Sequence, residues 1–232
     1  MRETLTQGLP QLGADLSMIE KLETFSAFMV EKNKVMNLTG ITEPREVATL
    51  HLLDSLSLLP MAQLQGKSIV DVGTGAGFPG MPLAIALPES RITLLDSLNK
   101  RIDFLREAGE MLGLTNAEYV HARAEEFAAD HREGYDYAVS RAVASLPMLC
   151  ELCLPLVKVG GQFLAMKSSH TEEEIASAKS AISKLGGKIE EVREISLPEL
   201  EDKRAIVVIR KVSPTPKTYP RRPAVAEKKP LL

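Results

Sequence analysis

The sequence contains no tryptophan, and aromatic residues occupy only 4% of its 232 positions. It also lacks a long apolar run, because charged residues such as Arg2, Glu3 and Asp15 interrupt the N-terminal segment. Membrane spans and secretory leaders need continuous apolar stretches. We therefore expect a cytoplasmic protein that contacts no membrane. With 44% hydrophobic and 25% charged residues, the chain has the composition of an ordinary globular domain with one core.

Cysteine is almost as scarce. Cys150 and Cys153 are the two cysteines, and their C-x-x-C spacing raises the possibility of a zinc or redox site. Such a zinc site needs a second pair of ligands, and none of the four histidines has a suitable spacing. Both cysteines lie within the apolar stretch SLPMLCELCLPLV. The sequence therefore predicts that they pack in the core and that the protein holds no metal.

The net charge of −3 hides an uneven distribution. Residues 203–232 contain nine basic residues and one acid, for a charge of +8, so the rest of the chain carries −11. A basic segment on an acidic body indicates a polyanion contacted at one place. A solvated tail that only aids solubility is the alternative, and the charge pattern leaves both open.

Helical periodicity dominates the first 66 residues. Apolar side chains at helical spacing predict helices over 15–36 and about 44–59, the second with His51, Asp54 and Ser55 on one face. We interpret 1–66 as a helical cap that belongs to the same domain as the rest.

Strands alternate with helices from residue 67 onward. Strands are predicted at 68–72, 91–95, 118–121, 135–140, 161–166, 188–195 and 204–210. Helices are predicted at 80–86, 99–112, 123–131, 145–157 and 171–185. The alternation predicts an α/β core over 67–211, with a seven-stranded, mainly parallel, doubly wound sheet. Its last two strands are close enough for an antiparallel hairpin, as in the Rossmann-like class I S-adenosylmethionine-dependent methyltransferases. Residues 212–232 are proline-rich and predict an extended basic tail.

The most informative motif is DVGTGAGFPG, residues 71–80, which follows an apolar strand and precedes a helix. Gly73, Gly75 and Gly77 stand where the chain must turn sharply with no side chain between backbone and ligand. Asp96 follows Gly77 by nineteen residues, at the end of the second strand. An acid there is placed to accept hydrogen bonds from the ribose of an adenosine ligand.

These features suit two cofactors, S-adenosylmethionine and NAD. Asp71 favours the first, because methyltransferases prefer an acid there, which would face the cationic end of the cofactor. Phe78 and Pro79 make a bulky start for a helix that must receive a pyrophosphate. The chain also has little room for the substrate domain of most dehydrogenases. We therefore favour a methyltransferase over an NAD-dependent oxidoreductase.

Seven motifs extend this interpretation over nearly the whole chain. They are KNKVMNLTGI (32–41), HLLDSL (51–56), DVGTGAGFPG (71–80), LLDSLNKRIDFL (94–105), RAEE (123–126), SRAVASL (140–146) and TPKTYPRRP (215–223). In these motifs the sequence resembles the glucose-inhibited division protein B family of 16S ribosomal RNA guanine-N(7) methyltransferases. The resemblance implies a one-domain enzyme that uses S-adenosylmethionine to methylate a guanine in the 530 loop.

The family's cofactor contacts fall on a set of positions in and after the first four strands. They are Gly73, Phe78, Ala124, Glu125 and Arg141. The resemblance implies that Ala124 and Glu125 lie near the adenine and that Arg141 lies beside the methyl-transfer site.

The sequence departs from the family pattern at three positions. Lys32, Leu50 and Ala224 replace a common tryptophan, basic residue and glycine, and the first two leave the RNA contacts of the cap open.

Several of the other positions also have structural interpretations. Arg123 and Glu126 suit a surface helix pair, and His51 and Asp54 suit a structural pair that holds the cap. Asn37 suits a residue whose side chain caps the turn that follows the first predicted helix.

The chemistry of the target explains why no acid–base dyad stands out. N7 of guanine is an acceptor with a free lone pair, so its methylation needs no base. We expect Arg141 to be the catalytic residue that positions cofactor and base, while Lys217, Arg221 and Arg222 hold phosphates of 16S ribosomal RNA or of a small-subunit particle. A noncatalytic RNA-binding protein remains an alternative.

Overall fold

In the computed structural model, residues 1–141, 144–168, 171–198, 200 and 203–231 are described. Ala142 and Val143 of the SRAVASL motif, and residues 199, 201 and 202 between the last two strands, lie outside these residues.

Seven strands form one sheet in the order β3-β2-β1-β4-β5-β7-β6. The strands are β1 (Ser68–Val72), β2 (Arg91–Asp96), β3 (Ala117–His121), β4 (Tyr135–Arg141), β5 (Val157–Ser168), β6 (Gly187–Ile195) and β7 (Arg204–Lys211). The first five run parallel, whereas β7 is antiparallel to both β5 and β6. This confirms the predicted class I fold, including its antiparallel end. The strand order reverses between β1 and β4, so the carboxyl ends of these strands border the crevice where such sheets bind ligands.

Helices cover both faces of this sheet. After β1 they are α5 (Gly80–Ala86), α6 (Asn99–Met111), α7 (Ala124–Asp130), α8 (Leu146–Cys153) and α9 (Glu172–Lys184). Because successive strand residues point to opposite faces, Ile69 joins the core under the cap and α6, while Val70 joins the core under α7, α8 and α9. Cys150 and Cys153 are fully buried in that second core as free thiols, as predicted.

The N-terminal 66 residues pack as short helical pieces on the first core. They comprise α1 (Arg2–Gly8), α2 (Ile19–Met36), α3 (Pro44–Glu46), a π-helix (Val47–Leu53) and α4 (Asp54–Leu56). Aromatic rings attach them to the sheet domain: Phe25 of α2 meets Phe78 edge-on at 5.5 Å and stacks on Phe104 of α6 at 6.4 Å. The sequence did not reveal α1. The predicted helix over about 44–59 is confirmed over residues 44–56 as one continuous helical run, with a π-helix at its centre.

The C-terminal segment is not the extended tail that its prolines predicted. Residues Pro223–Lys228 form helix α10, and Ala226 and Leu231 are buried. Arg132 fastens the segment, because its guanidinium donates to the carbonyls of Tyr219 (2.8 Å) and Pro216 (2.9 Å). The segment therefore lies along the body of the protein.

Much of the basic charge in residues 203–232 is neutralised by the body. The ion pairs are Lys203–Glu194, Arg204–Asp54, Arg210–Glu190, Lys211–Glu133 and Arg221–Glu151. Lys211 is fully buried, and burial lowers its pKa to about 8 although Glu133 raises it. Residues 203–232 therefore do not form a free polycation, although the sequence places an excess of basic residues there.

Within the described part of the chain, no helix is long and apolar enough to cross a membrane.

The Arg221–Glu151 pair predicts a measurable contribution to stability. Arg221 donates through Nε (2.7 Å) and Nη2 (2.6 Å) to the Glu151 carboxylate, whose side chain is 2% exposed. Arg221→Met leaves that carboxylate buried without its cation, so we expect the free energy of unfolding to fall by about 2–3 kcal/mol. Urea denaturation measures this. The neighbouring exposed Arg222→Met is the control, and equal effects of the two variants would contradict the prediction.

Candidate functional site

The glycine loop, residues 73–79, connects β1 to α5 and is fixed to the end of β2 by its own amides. The N–H groups of Gly73 and Thr74 donate to the Leu95 carbonyl at 2.8 and 3.0 Å. The N–H of Gly75 donates to Asp96 Oδ2 at 2.9 Å. Hydrogen bonds to protein groups therefore hold the loop in its shape.

Two of these glycines are required for different reasons. Gly75 has φ +60°, and a Cβ there would have only the Gly73 carbonyl near it, at 3.9 Å, so its open side faces the cavity. Gly77 has φ +95°, and a Cβ there would lie 2.6 Å from Leu105 and 2.7 Å from Met81. Gly75 leaves room for a ligand, whereas Gly77 allows the loop to pack against α6.

Asp96 combines a structural task with remaining acceptor capacity. Its carboxylate accepts from the amides of Gly75 and Leu98, both at 2.9 Å, and from Arg101 at 3.4 Å. A carboxylate offers about four acceptor positions. One is therefore left on Oδ1 for a ligand hydroxyl at the edge of the loop.

Asp71 does not face the cavity, contrary to the expectation that it meets the cationic end of a cofactor. It is fully buried, and its Oδ2 accepts the N–H of Gly80 at 2.8 Å at the start of α5. Burial raises the pKa of Asp71 to about 6, although the Gly80 amide and the charge of Arg141 lower it. Its role is to anchor the far end of the glycine loop.

A cavity of about 390 Å³ opens above the loop at the switch point of the sheet. We call it the loop cavity. It is lined by Leu38, Thr39, His51, Gly73, Thr74, Gly75, Ala76, Phe78, Asp96, Ser97, Arg101 and Arg141. Its volume lies within the range of roughly 300–1,000 Å³ typical of small-molecule sites. Loop, β2, β4 and cap all contribute to its wall.

Arg141, the last residue of β4, connects the sheet to the cap. Its Nη1 donates to Asp54 Oδ2 at 2.7 Å and to the Leu50 carbonyl at 2.8 Å. Its Nη2 lies 3.3 Å from His51 Nδ1, and its guanidinium lies over the Phe78 ring at 5.2 Å. The side chain is only 15% exposed, so these partners hold a largely buried cation in one position.

His51 lies between Arg141 and the glycine loop. Its ring stacks on Phe78 with centroids 4.5 Å apart, and its Nε2 lies 2.9 Å from Thr39 Oγ1. Its Nδ1 lies between the Leu50 carbonyl at 3.2 Å and the guanidinium of Arg141 at 3.3 Å. Burial, together with the charge of Arg141, lowers the pKa of His51 to about 4. The imidazole is therefore neutral at physiological pH.

Other residues singled out in the sequence lie farther from this cavity. Ala124 and Glu125 begin α7 after β3, on the same edge of the sheet, but do not line the cavity. Lys217 and Arg222 are exposed in the C-terminal segment, and Arg221 is paired with Glu151 of α8. The expectation that Arg221 holds a phosphate conflicts with this pairing, because its guanidinium is already occupied.

The sequence did not identify Thr39 or Arg101 as lining residues. Both lie inside motifs that carry the family resemblance, KNKVMNLTGI and LLDSLNKRIDFL, and that was their only signal. Among the residues that the structure describes, no group of three or more His, Cys, Asp or Glu side chains could hold a metal ion.

Comparisons with known proteins agree on one family. The family model described as rRNA small subunit methyltransferase G (GidB) matches residues 18–207. Two relatives named ribosomal RNA small subunit methyltransferase G are each 48% identical to this chain. The relative from Alkaliphilus metalliredigens covers 98% of this chain and 97% of its own length. The relative from Pelotomaculum thermopropionicum covers 100% of this chain and 99% of its own length.

The fold has counterparts among solved structures. A SAM dependent methyltransferase from Aquifex aeolicus superimposes with a TM-score of 0.54 at 17% identity, covering 72% of this chain and 93% of its own. At this identity the likeness supports the fold alone.

The low pKa of His51 predicts a specific pH dependence of stability. The unfolded imidazole binds a proton near pH 6.5, whereas the folded one binds it only near pH 4. Stability from His51 is therefore complete above pH 6.5 and is lost as the pH falls towards 4. Relative to His51→Gln, we expect the wild-type free energy of unfolding to drop by about 2–3 kcal/mol across this window.

Urea denaturation at several pH values measures this difference. The raised pKa of Asp71 acts in the opposite direction, stabilising the fold as the pH falls through 6, but it is common to both proteins and cancels. A difference that stays constant from pH 7 to pH 4 would show that His51 is not held neutral.

Proposed function

The chain belongs to the rRNA small subunit methyltransferase G family, and on that premise we propose that it transfers the methyl group of S-adenosylmethionine to N7 of a guanine in the 530 loop of 16S ribosomal RNA. The observation that carries this proposal is 48% identity over essentially the whole length of relatives with that name. The loop cavity supports it, because its position at the switch point of the sheet, its open glycine loop and Asp96 suit an adenosine ligand.

The residues around the loop cavity fit S-adenosylmethionine. Gly75 leaves the loop open, and the free acceptor position of Asp96 suits a ribose hydroxyl. We propose that the cofactor is held directly by Gly73, Gly75, Phe78, Asp96 and Arg141. When bound, the cofactor supplies an electrophilic methyl group. Ala124 and Glu125 remain proposed contacts near the adenine of the cofactor, and Gly77 acts through packing.

The protein's own contribution to the reaction is positioning. Guanine N7 carries a lone pair and no proton, so no residue needs to act as a base. Arg141 is held by Asp54 and the Leu50 carbonyl, so the end of β4 presents a fixed surface to the two reactants. His51 is neutral there and adds no repulsion towards a cationic methyl donor. Alignment of the reacting atoms can supply most of the rate increase.

We propose that the molecule is one domain with three parts, the cap (1–66), the core (67–211) and the basic C-terminal segment (212–232). Lys217 and Arg222 of that segment contact phosphates, while Arg221 anchors it through Glu151. The RNA is bound as free 16S rRNA or within a small-subunit particle, in the cytoplasm, without a membrane or a metal. Family membership disfavours an NAD-dependent oxidoreductase and a noncatalytic RNA-binding protein.

Deletion of the gene tests the function. We expect mass mapping of 16S rRNA from deletion cells to show the loss of one 7-methylguanine. Wild-type protein should restore it and Gly75→Val should not, because valine would fill the open side of the loop. Gly113→Val is the matched control: Gly113 has a similar φ of +63° and nothing within 4 Å, so it shares the backbone strain but lies at the end of α6. An unchanged methylation pattern in the deletion cells would refute the proposal.

The salt dependence of RNA binding tests the C-terminal segment. Lys217→Met with Arg222→Met should weaken binding to a 16S rRNA fragment and lower the slope of log K against log salt by about 1–2, because each phosphate contact releases a counterion. Fluorescence anisotropy measures this. The exposed pair Lys184→Met with Lys188→Met changes the net charge equally and should leave the slope unchanged. Equal slopes for both double variants would place the RNA elsewhere.

A further inference from the structure

A second cavity of about 360 Å³ lies beside the loop cavity, between the cap and the ends of β5 and β7. We call it the strand-end cavity. The charged and imidazole side chains in its lining are His51, Asp54, Arg141, Lys167, Glu174 and Arg204. Its size is also that of a small-molecule site, and nothing in the function argued so far uses it.

His51 and Arg141 line both cavities. The two cavities therefore adjoin at these side chains, which we call the partition; the stack of His51 on Phe78 and the pairing of Arg141 with Asp54 hold them in place. Two reactants in the adjoining cavities would meet beside the partition.

The net charge of the side chains that line the strand-end cavity is positive, which favours a ligand with an oxygen atom that accepts hydrogen bonds. Arg141, Lys167 and Arg204 face two carboxylates, Asp54 and Glu174, which leaves one positive charge in excess. Lys167 is satisfied, because its Nζ donates to Glu174 Oε1 at 2.7 Å and to the Ala144 carbonyl at 2.9 Å.

Arg204 is held more loosely than the other two cations. Its Nε lies 3.7 Å from Asp54 Oδ1 and has no hydrogen-bond partner among the described residues. Its guanidinium is therefore the group best able to turn towards a ligand.

Resting on the proposed function, we propose that the strand-end cavity receives the target guanine and that Arg204 donates a hydrogen bond to its O6. The Hoogsteen edge of guanine presents two acceptors, O6 and N7, whereas adenine has an amino donor in place of O6. A donor at O6 leaves N7 free to face the partition. Guanine reaches such a cavity only when it is turned out of the RNA stack.

Methyl transfer beside the partition requires no proton transfer. The N7 lone pair forms the new bond to the methyl carbon, and the electrons of the broken carbon–sulfur bond stay on sulfur. The positive charge thereby moves from the loop cavity to the purine in the strand-end cavity, where Asp54 and Glu174 lie.

Base analogues test the assignment in the wild-type protein. The probes are 16S rRNA molecules with inosine, which keeps O6 and N7, or 2-aminopurine, which lacks O6, at the target position. We expect inosine RNA to be methylated nearly as well as guanine RNA and 2-aminopurine RNA to show kcat/KM lower by about tenfold or more, as a lost charge-assisted hydrogen bond implies. Equal rates on guanine and 2-aminopurine RNA would overturn the assignment.

A variant cycle identifies the donor. Arg204→Met should lower kcat/KM for guanine RNA by a similar factor and abolish the preference over 2-aminopurine, while calorimetry shows unchanged affinity for S-adenosylhomocysteine. Arg210→Met is the control, since Arg210 lies six residues along β7 on the same face and pairs with Glu190. Should Arg204→Met keep the wild-type preference, or lose cofactor affinity, the proposal fails. Absence of methylation by the wild-type protein would instead refute the proposed function.

Discussion

The largely buried guanidinium of Arg141 is the constraint on which the site depends. A cation in the interior is costly unless charged and polar partners surround it. Each hydrogen-bonding partner that the structure describes for it comes from the cap: the Asp54 carboxylate, the Leu50 carbonyl and the His51 ring. The cap therefore cannot shift relative to the end of β4 without leaving this charge unpaired. One side chain thereby fixes the two cavities relative to each other.

The sequence predicted the sheet domain closely because its signals are local. Apolar strands, glycine turns and amphipathic helices set each element, and Asp96 could be found by its distance from the glycine loop. Long-range pairings left no such signal. Asp71 matched a motif, yet its carboxylate turns inward to Gly80. Nothing local in residues 203–232 indicated that Arg221 would face Glu151, seventy residues away.

Arg204 shows why part of the candidate site could not be read from the chain. Functional residues of parallel sheets are sought at the carboxyl ends of strands, where β1, β2 and β4 place theirs. β7 is antiparallel to β5, so its first residues reach the same edge as the last residues of β5. Arg204 pairs in register with Ser168. Only the direction of β7 makes this arginine a neighbour of the site, and the sequence analysis grouped it with the basic residues of 203–232.

The hydrogen bond from the Gly75 amide to Asp96 has a consequence for recognition. Because protein hydrogen bonds hold the loop, its conformational entropy is lost when the protein folds and not when the ligand binds. The ligand should then bind with little rearrangement of the main chain. A protein built this way can exchange spent donor for fresh donor between RNA molecules without rebuilding its pocket each time.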